Sequence, residues 1–218
     1  LDILGFNSDK AWDYENGFNL TSHYSRLSKV ISHWELFKTI HNVQGDIVEL
    51  GVYKMSSLIR WCTFREIQEN AYSRKIIGFD MFGPFPKSGT DNDAEFARQH
   101  DQQGTLSIEK AKEVISFKKF QNVELIKGDI LTSLNIYLEK NPHLKISLLN
   151  LDLDIFEPTK FALETLWDKI VPNGILLLDD YGSVEGANKA VDTFMESKAS
   201  SKKLLKTPFH PSPAYIIK

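Results

Sequence analysis

Short apolar runs and longer amphipathic stretches alternate along most of this chain. From Gly45 onward the strand-like runs are "DIVELG", "KIIGFD", "VELIKGD", "KISLLNLDLD" and "GILLLDDY". Brief apolar runs bounded by turn residues suit buried strands. Between them "SSLIRWCTFREIQEN", "SLNIYLEKN", "TKFALETLWDKI" and "GANKAVDTFMESK" place apolar residues at helical spacing. Strand and helix in alternation predict βαβ units, and so a doubly wound α/β fold with a parallel sheet between helical layers. The closing "AYIIK" predicts one more short strand, an antiparallel partner at the sheet edge.

Two segments depart from this rhythm. In "SRLSKVISHWELFKTIHNV", Leu27, Val30, Ile31, Trp34, Leu36, Phe37 and Ile40 recur at roughly helical spacing. Residues 1–44 are therefore expected to form an N-terminal helical cap on a main domain at 45–218, with His33 and His41 as surface or packing residues. The second segment, "MFGPFPKSGTDNDAEFARQHDQQG" at 81–104, is rich in Gly, Pro and polar residues and follows directly on a strand. Long irregular insertions in compact domains often serve as lids. Phe82, Phe85 and His100 are its candidates for touching a ligand.

Composition narrows the partners. The 218 residues are 42% hydrophobic and 25% charged, ordinary for a globular protein, with a formal net charge of -3. That balance argues against a general nucleic-acid binder, and "SKKLLK" reads as a solvated face. Cys62 is the only cysteine, which rules out an intrachain disulfide and suits a small buried residue. No stretch approaches the roughly 20 apolar residues that cross a bilayer. "LDILGFNSDK" lacks the basic start and apolar core of a signal segment. A cytoplasmic protein with neither membrane nor nucleic acid as partner is expected.

The acids carry the chemistry. Glu49, Asp80 and Asp129 close the first three strand-like runs, Asp152 and Asp154 the fourth, Asp179 and Asp180 the fifth. Ligands of open α/β sheets bind outside the carboxyl ends of the strands. Residues two apart on a strand share a face, so Asp152 and Asp154 should point the same way. Asp129 reads equally well as the cap of the following helix. Asp152, Asp154, Asp179 and Asp180 together would repel and tend to protonate. A divalent cation relieves that, and hard oxygen ligands suit Mg²⁺. Without nearby His or Cys, zinc is disfavoured. The turn in "DIVELGVYKMSS" holds Gly51 but neither G-x-G-x-x-G nor a P-loop, which disfavours a pyrophosphate-bearing cofactor. An acid-Gly turn followed by an acid ending the next strand fits a nucleoside with an amino-acid tail. Asp80 would take its ribose hydroxyls.

"ELFKTIHNVQGDIVELGVY", "RKIIGFDMFGPFP", "VELIKGDI", "KISLLNLDLDIFEPTKFALE" and "GILLLDDYGSVEGANKAVDTF" follow one another in this chain. In that order they resemble the macrocin O-methyltransferase family, class I S-adenosylmethionine-dependent enzymes that methylate sugar hydroxyls. The resemblance implies a Rossmann-like methyltransferase sheet and Mg²⁺-dependent methyl transfer from S-adenosyl-L-methionine to a small-molecule sugar, which could be nucleotide-linked. It places Glu49 and Gly51 at the methionine end of the cofactor, helped by Ser56 and Ser57. Asp80 then falls at the ribose, and Gly128 and Asp129 beside the adenine. It makes Asp152, Asp179 and Asp180 the Mg²⁺ ligands and Asp154 the catalytic base, and it points to a homo-oligomer. Tyr181 would wall the sugar site or serve in aromatic packing. Lys54 and Met55 stand where relatives commonly carry glycine. The same acids would serve a catechol or other vicinal diol, and a non-catalytic cofactor-binding protein is the reading from another class.

Overall fold

The computed structural model describes residues 1–84 and 104–218. The chain opens with a small hairpin, β1 (Asp2–Ile3) and β2 (Phe6–Asn7), and two helices, α1 (Ala11–Thr21) and α2 (Tyr24–Thr39). Helix α1 buries none of its residues, whereas α2 sinks Ser32, His33, Leu36 and Phe37. The periodic face expected in α2 is thus buried only toward its end; Leu27 and Ile31 are exposed.

The main domain runs β3 (Asp46–Leu50), α3 (Ser56–Gln68), β4 (Ile76–Asp80), α4 (Ile108–Phe117), β5 (Val123–Lys127), α5 (Ile130–Lys140), β6 (Ile146–Leu151), α6 (Phe156–Leu166), β7 (Ile170–Leu178), α7 (Glu185–Ser197), β8 (Leu205–Lys206) and β9 (Ala214–Ile217). The sheet order is β5-β4-β3-β6-β7-β9-β8. Strands β3 to β7 pair in parallel, and β9 is antiparallel to both neighbours. The order reverses between β3 and β6, where an open α/β sheet binds its ligand.

Side-chain alternation along the strands divides the core. Val48, Leu50, Leu149, Leu151, Leu176 and Leu178 pack with α5, α6 and α7. Ile47, Leu148, Ile175 and Leu177 face the other way, toward α2, α3 and Leu106. Glu49 and Asn150 share that second face and stand opposite one another in the β3–β6 register.

Two expectations need correction. "AYIIK" does form a strand, β9, but not the edge: β8 covers it, using Leu205 and Lys206 of the run read as a solvated face. A two-residue strand leaves no periodicity to read, and lysine is ordinary on an exposed edge. The strands also stop earlier than the apolar runs suggest, β5 at Lys127, β6 at Leu151 and β7 at Leu178, so most of the acids lie in the loops beyond. Among the described residues no helix is long and apolar enough to cross a membrane.

At the end where the strands begin, Arg74 is buried and bidentate to Glu69, with both contacts at 2.8 Å. Its remaining donors reach Ser147 Oγ and the carbonyls of Ile40, His41, Val43 and Gly45. Arg65, fully buried, donates to the carbonyls of Arg74, Gln121 and Asn122. Arg74 thereby ties the end of α2 to the sheet.

Candidate active site

The turn after β3 is shaped by contact with the loop after β6. Asp152 N–H donates to Leu50 O at 2.9 Å, and Gly51 takes φ +87°. A Cβ on Gly51 would lie 1.7 Å from the Asp152 carbonyl oxygen, so no other residue fits there. Tyr53 (φ 47°) and Met55 (φ 66°) also hold left-handed backbone, without being glycine. The "GVYKM" turn therefore keeps a glycine-type path with ordinary side chains, at a strain of roughly 1–3 kcal/mol for each such residue.

Asp80 organises this turn. Its Oδ2 accepts from Val52 N–H (2.9 Å) and Tyr53 N–H (2.8 Å), and its Oδ1 from Phe82 N–H (2.6 Å). A carboxylate has about four lone-pair positions, so acceptor capacity remains for a ligand hydroxyl. Glu49 is fully buried, and Ser57 Oγ donates to its Oε1 at 2.8 Å. Burial pushes Glu49 up to about 7, although the hydrogen bond from Ser57 holds it down somewhat. Its Oε2, Trp61 Nε1 and Asn150 Oδ1 close no hydrogen bond among the described residues.

The residues expected at the cofactor do not all gather. Gly51, Asp80 and Gly128 line one cleft of about 190 Å³ together with Tyr53, Phe79 and Ile130. Ser57 stays behind Glu49, and Ser56, next to it, is exposed and lines a groove beneath the N-terminal hairpin instead. Neighbours on a helix point about 100° apart, which separates the pair. Asp129 takes the capping alternative: it is the N-cap of α5, accepting from Leu131 N–H at 2.9 Å. Phe82 is buried in the α3-side core rather than turned to the cleft. Phe85 and His100 lie outside the described residues.

The same cleft continues to Asp152, Leu153, Asp154, Ile155 and Pro158. Asp152 and Asp154 converge, though not by strand alternation. Both lie beyond β6, and Asp154 has φ 62°. Its N–H donates to Asp180 Oδ2 at 3.0 Å, which draws the loops after β6 and β7 together. Asp152, Asp154 and Asp180 can each offer an oxygen with all three atoms within 4.8 Å of one another. Asp179 stands apart from that group: its Oδ2 accepts from Lys29 Nζ of α2 at 2.7 Å. Tyr181 turns away, donating its hydroxyl to Asp192 on α7 at 2.9 Å while its ring packs on the α7-side core.

Crowded burial decides the protonation here. Burial, then the charges of Asp179, Asp180 and Asp154, raises Asp152 well above the carboxylate range. Asp154 is raised by burial and by Asp180, to which its proton bonds. Asp180 is pushed up to about 6 by burial, eased by the Asp154 N–H. Lys29 offsets part of the rise at all three. Carboxyls that burial and one another push toward protonation make a fitting donor set for a hard divalent cation.

The sheet order, the antiparallel β9 and a cleft at the switch point define a class I, Rossmann-like methyltransferase fold. The chain belongs to the macrocin-O-methyltransferase (TylF) family, which matches it over residues 24–208. A relative from Streptomyces olivaceus, 8-demethyl-8-(2,3-dimethoxy-alpha-L-rhamnosyl)-tetracenomycin-C 4'-O-methyltransferase, is 27% identical over 159 residues, 70% of this chain and 58% of its own. Demethyldecarbamoylnovobiocin O-methyltransferase from Streptomyces niveus is 25% identical over 71% of this chain and 59% of its own. This chain thus spans under two thirds of either relative. The apo structure of CalS11, TDP-rhamnose 3'-O-methyltransferase, superposes with a TM-score of 0.69 at 25% identity, covering 97% of this chain and 87% of that one.

Lys29, Tyr53, Ile130, Ile155 and Pro158 were not singled out from the sequence. Ile130 had a signal, since it follows the Gly128–Asp129 pair already assigned to the cofactor. Lys29 had none: its contact lies 150 residues away along the chain.

Proposed function

We propose that this protein transfers a methyl group from S-adenosylmethionine to a hydroxyl of a sugar carried by a natural product or a nucleotide. One observation carries the reading: a single cleft is lined by Gly51, Asp80 and Gly128 together with Asp152 and Asp154. The first group suits a nucleoside with an amino-acid tail, and the second suits a polyhydroxy acceptor. The names of the relatives agree, since they act on a rhamnosyl tetracenomycin, a novobiocin precursor and a TDP-rhamnose.

In this reading Asp80 accepts from the ribose hydroxyls while continuing to hold the turn. Glu49, backed by Ser57, sits beneath the methionine end. Asp152 and Asp180 would hold Mg²⁺, which, when bound, supplies the positive charge that makes a nearby hydroxyl more acidic. Asp154 is the base: its carboxylate takes the hydroxyl proton as that oxygen bonds to the methyl carbon and the carbon–sulfur bond breaks. S-adenosylhomocysteine leaves with the bonding pair on sulfur. Ile155, Pro158 and Leu153 keep water from the acceptor side. The sulfonium is already activated, so the chain's contribution is alignment and proton removal.

The test is calorimetric titration with S-adenosylhomocysteine in Mg²⁺ and in EDTA, followed by a panel of nucleotide sugars and glycosides. One-to-one binding and methylation of a diol-bearing sugar are expected. Absence of binding in both buffers would overturn the reading.

A further inference from the structure

Lys29 reaches the acid cluster from α2, a helix that precedes the sheet in the chain. Its helix is firmly seated there: His33, one turn on, stacks on Trp61 of α3 at 4.7 Å and 18°, and Ser32 Oγ meets Thr207 Oγ1 at 2.6 Å. Leu36, Phe37 and Ile40 are buried behind them. From this anchored face Lys29 places its ammonium 2.7 Å from Asp179 Oδ2, with only 27% and 13% of the two side chains exposed. Exposed ion pairs are usually loose and worth little; this one is sheltered and short. It also occupies a particular carboxylate. Asp152, Asp154 and Asp180 converge, and Asp179, adjacent to Asp180 in the chain, is left out of that group and turned to the lysine.

We propose that Lys29 and a divalent cation compete for Asp179, so that the N-terminal helix sets the affinity of the metal site. The inference rests on the metal reading given above. Asp179 can neutralise either the ammonium or, swung toward Asp180, the ion. A bound ion that recruits Asp179 must also tolerate a displaced ammonium nearby. Both effects lower affinity relative to a chain without the lysine charge, and both loosen α2 when the ion enters.

Calorimetric titration with Mn²⁺ alone, without cofactor or acceptor, separates the possibilities. Lys29→Met keeps the length of the side chain and removes its charge. It should bind Mn²⁺ roughly tenfold more tightly than the unaltered protein, since one neighbouring charge in a partly buried site exceeds about 1.4 kcal/mol. Lys29→Arg keeps the charge and should not tighten binding. Amide exchange in α2 of the unaltered protein should quicken when Mn²⁺ is added. Equal or weaker binding by Lys29→Met would overturn competition and make Lys29 a residue that orients Asp179 for the ion. Failure of every form to bind Mn²⁺ would remove the metal reading itself, and the inference with it. S-adenosylhomocysteine titration of each variant checks that the fold is intact, and Lys29→Gln replaces the methionine variant if that one does not fold.

Discussion

The two ends of this sheet treat charge in opposite ways. Where the strands begin, Arg74 is matched by Glu69, and the carbonyls around it are taken up by its other donors. Where the strands finish, Glu49 and Asp180 are buried, Asp152, Asp154 and Asp179 are half-buried, and the ammonium of Lys29 pairs with one of them. At the first end a buried charge is made tolerable by its pairing. The second holds surplus negative charge that a packed core alone would not favour. A local breach of the rules at the ligand-binding edge is what a working site produces.

The contrast can be broken most forcefully at the paired end. Arg74→Met should destabilise the protein by about 3–5 kcal/mol, because the buried Glu69 carboxylate loses its bidentate partner and keeps only the exposed His41 imidazole, 3.6 Å away. Urea unfolding would register this, and a loss below about 1 kcal/mol would mean that the pairing at that end matters little. At the other end, Asp154→Asn should leave stability in EDTA unchanged or higher while lowering methyl transfer by roughly 10²–10⁴-fold, the usual range for a lost base. Near-normal turnover would remove Asp154 from that role.

Proton titration gives a milder version of the same comparison. Glu49 at about 7 and Asp180 at about 6 are both raised above their unfolded values. Their protonated forms therefore contribute stability that is fully present below about pH 4 and is lost as the pH rises through 6 to 7. In EDTA the melting temperature should fall between about pH 5 and pH 8, and added Mn²⁺ should flatten that fall. A melting temperature that climbs across this window would show that these acids are not surplus. The smallest effect belongs to Asp129, an acid at the same end whose Oδ1 caps α5. Asp129→Ala should cost about 1 kcal/mol of stability and leave S-adenosylhomocysteine affinity within about a factor of two. A larger loss of affinity would return Asp129 to the adenine.

Much of this was legible in the amino-acid order because apolar runs that end in acids report both a strand and the edge it points to. Glu49, Asp80, Asp152 and Asp154 were picked out in that way and Gly51 from the turn after the first strand, whereas Gly128 came only from the family resemblance. Asp152 and Asp154 nonetheless converge for a different reason than alternation, since a left-handed residue beyond the strand brings them together. Periodicity could not distinguish Ser56 from Ser57, because one position on a helix turns a side chain by about 100°. It could not see β8, which is too short to repeat. Nor could it find Lys29, whose only signal is a contact made by folding the N-terminal helices over the sheet. The direction of Tyr181 was similarly hidden, because it depends on Asp192 being one helix away.

Gly51 has a consequence for anyone who would re-engineer the cleft. Its missing side chain lets the turn after β3 and the loop after β6 touch through backbone alone; in the function proposed above, that main-chain contact sets the distance between methyl donor and acceptor. Libraries that vary residues 49–54 or 152–154 would be altering the ruler rather than the choice of substrate. Ile155 and Pro158 also line the cleft, at the start of α6, and are the positions to vary when the Gly51–Asp152 contact is to be left untouched.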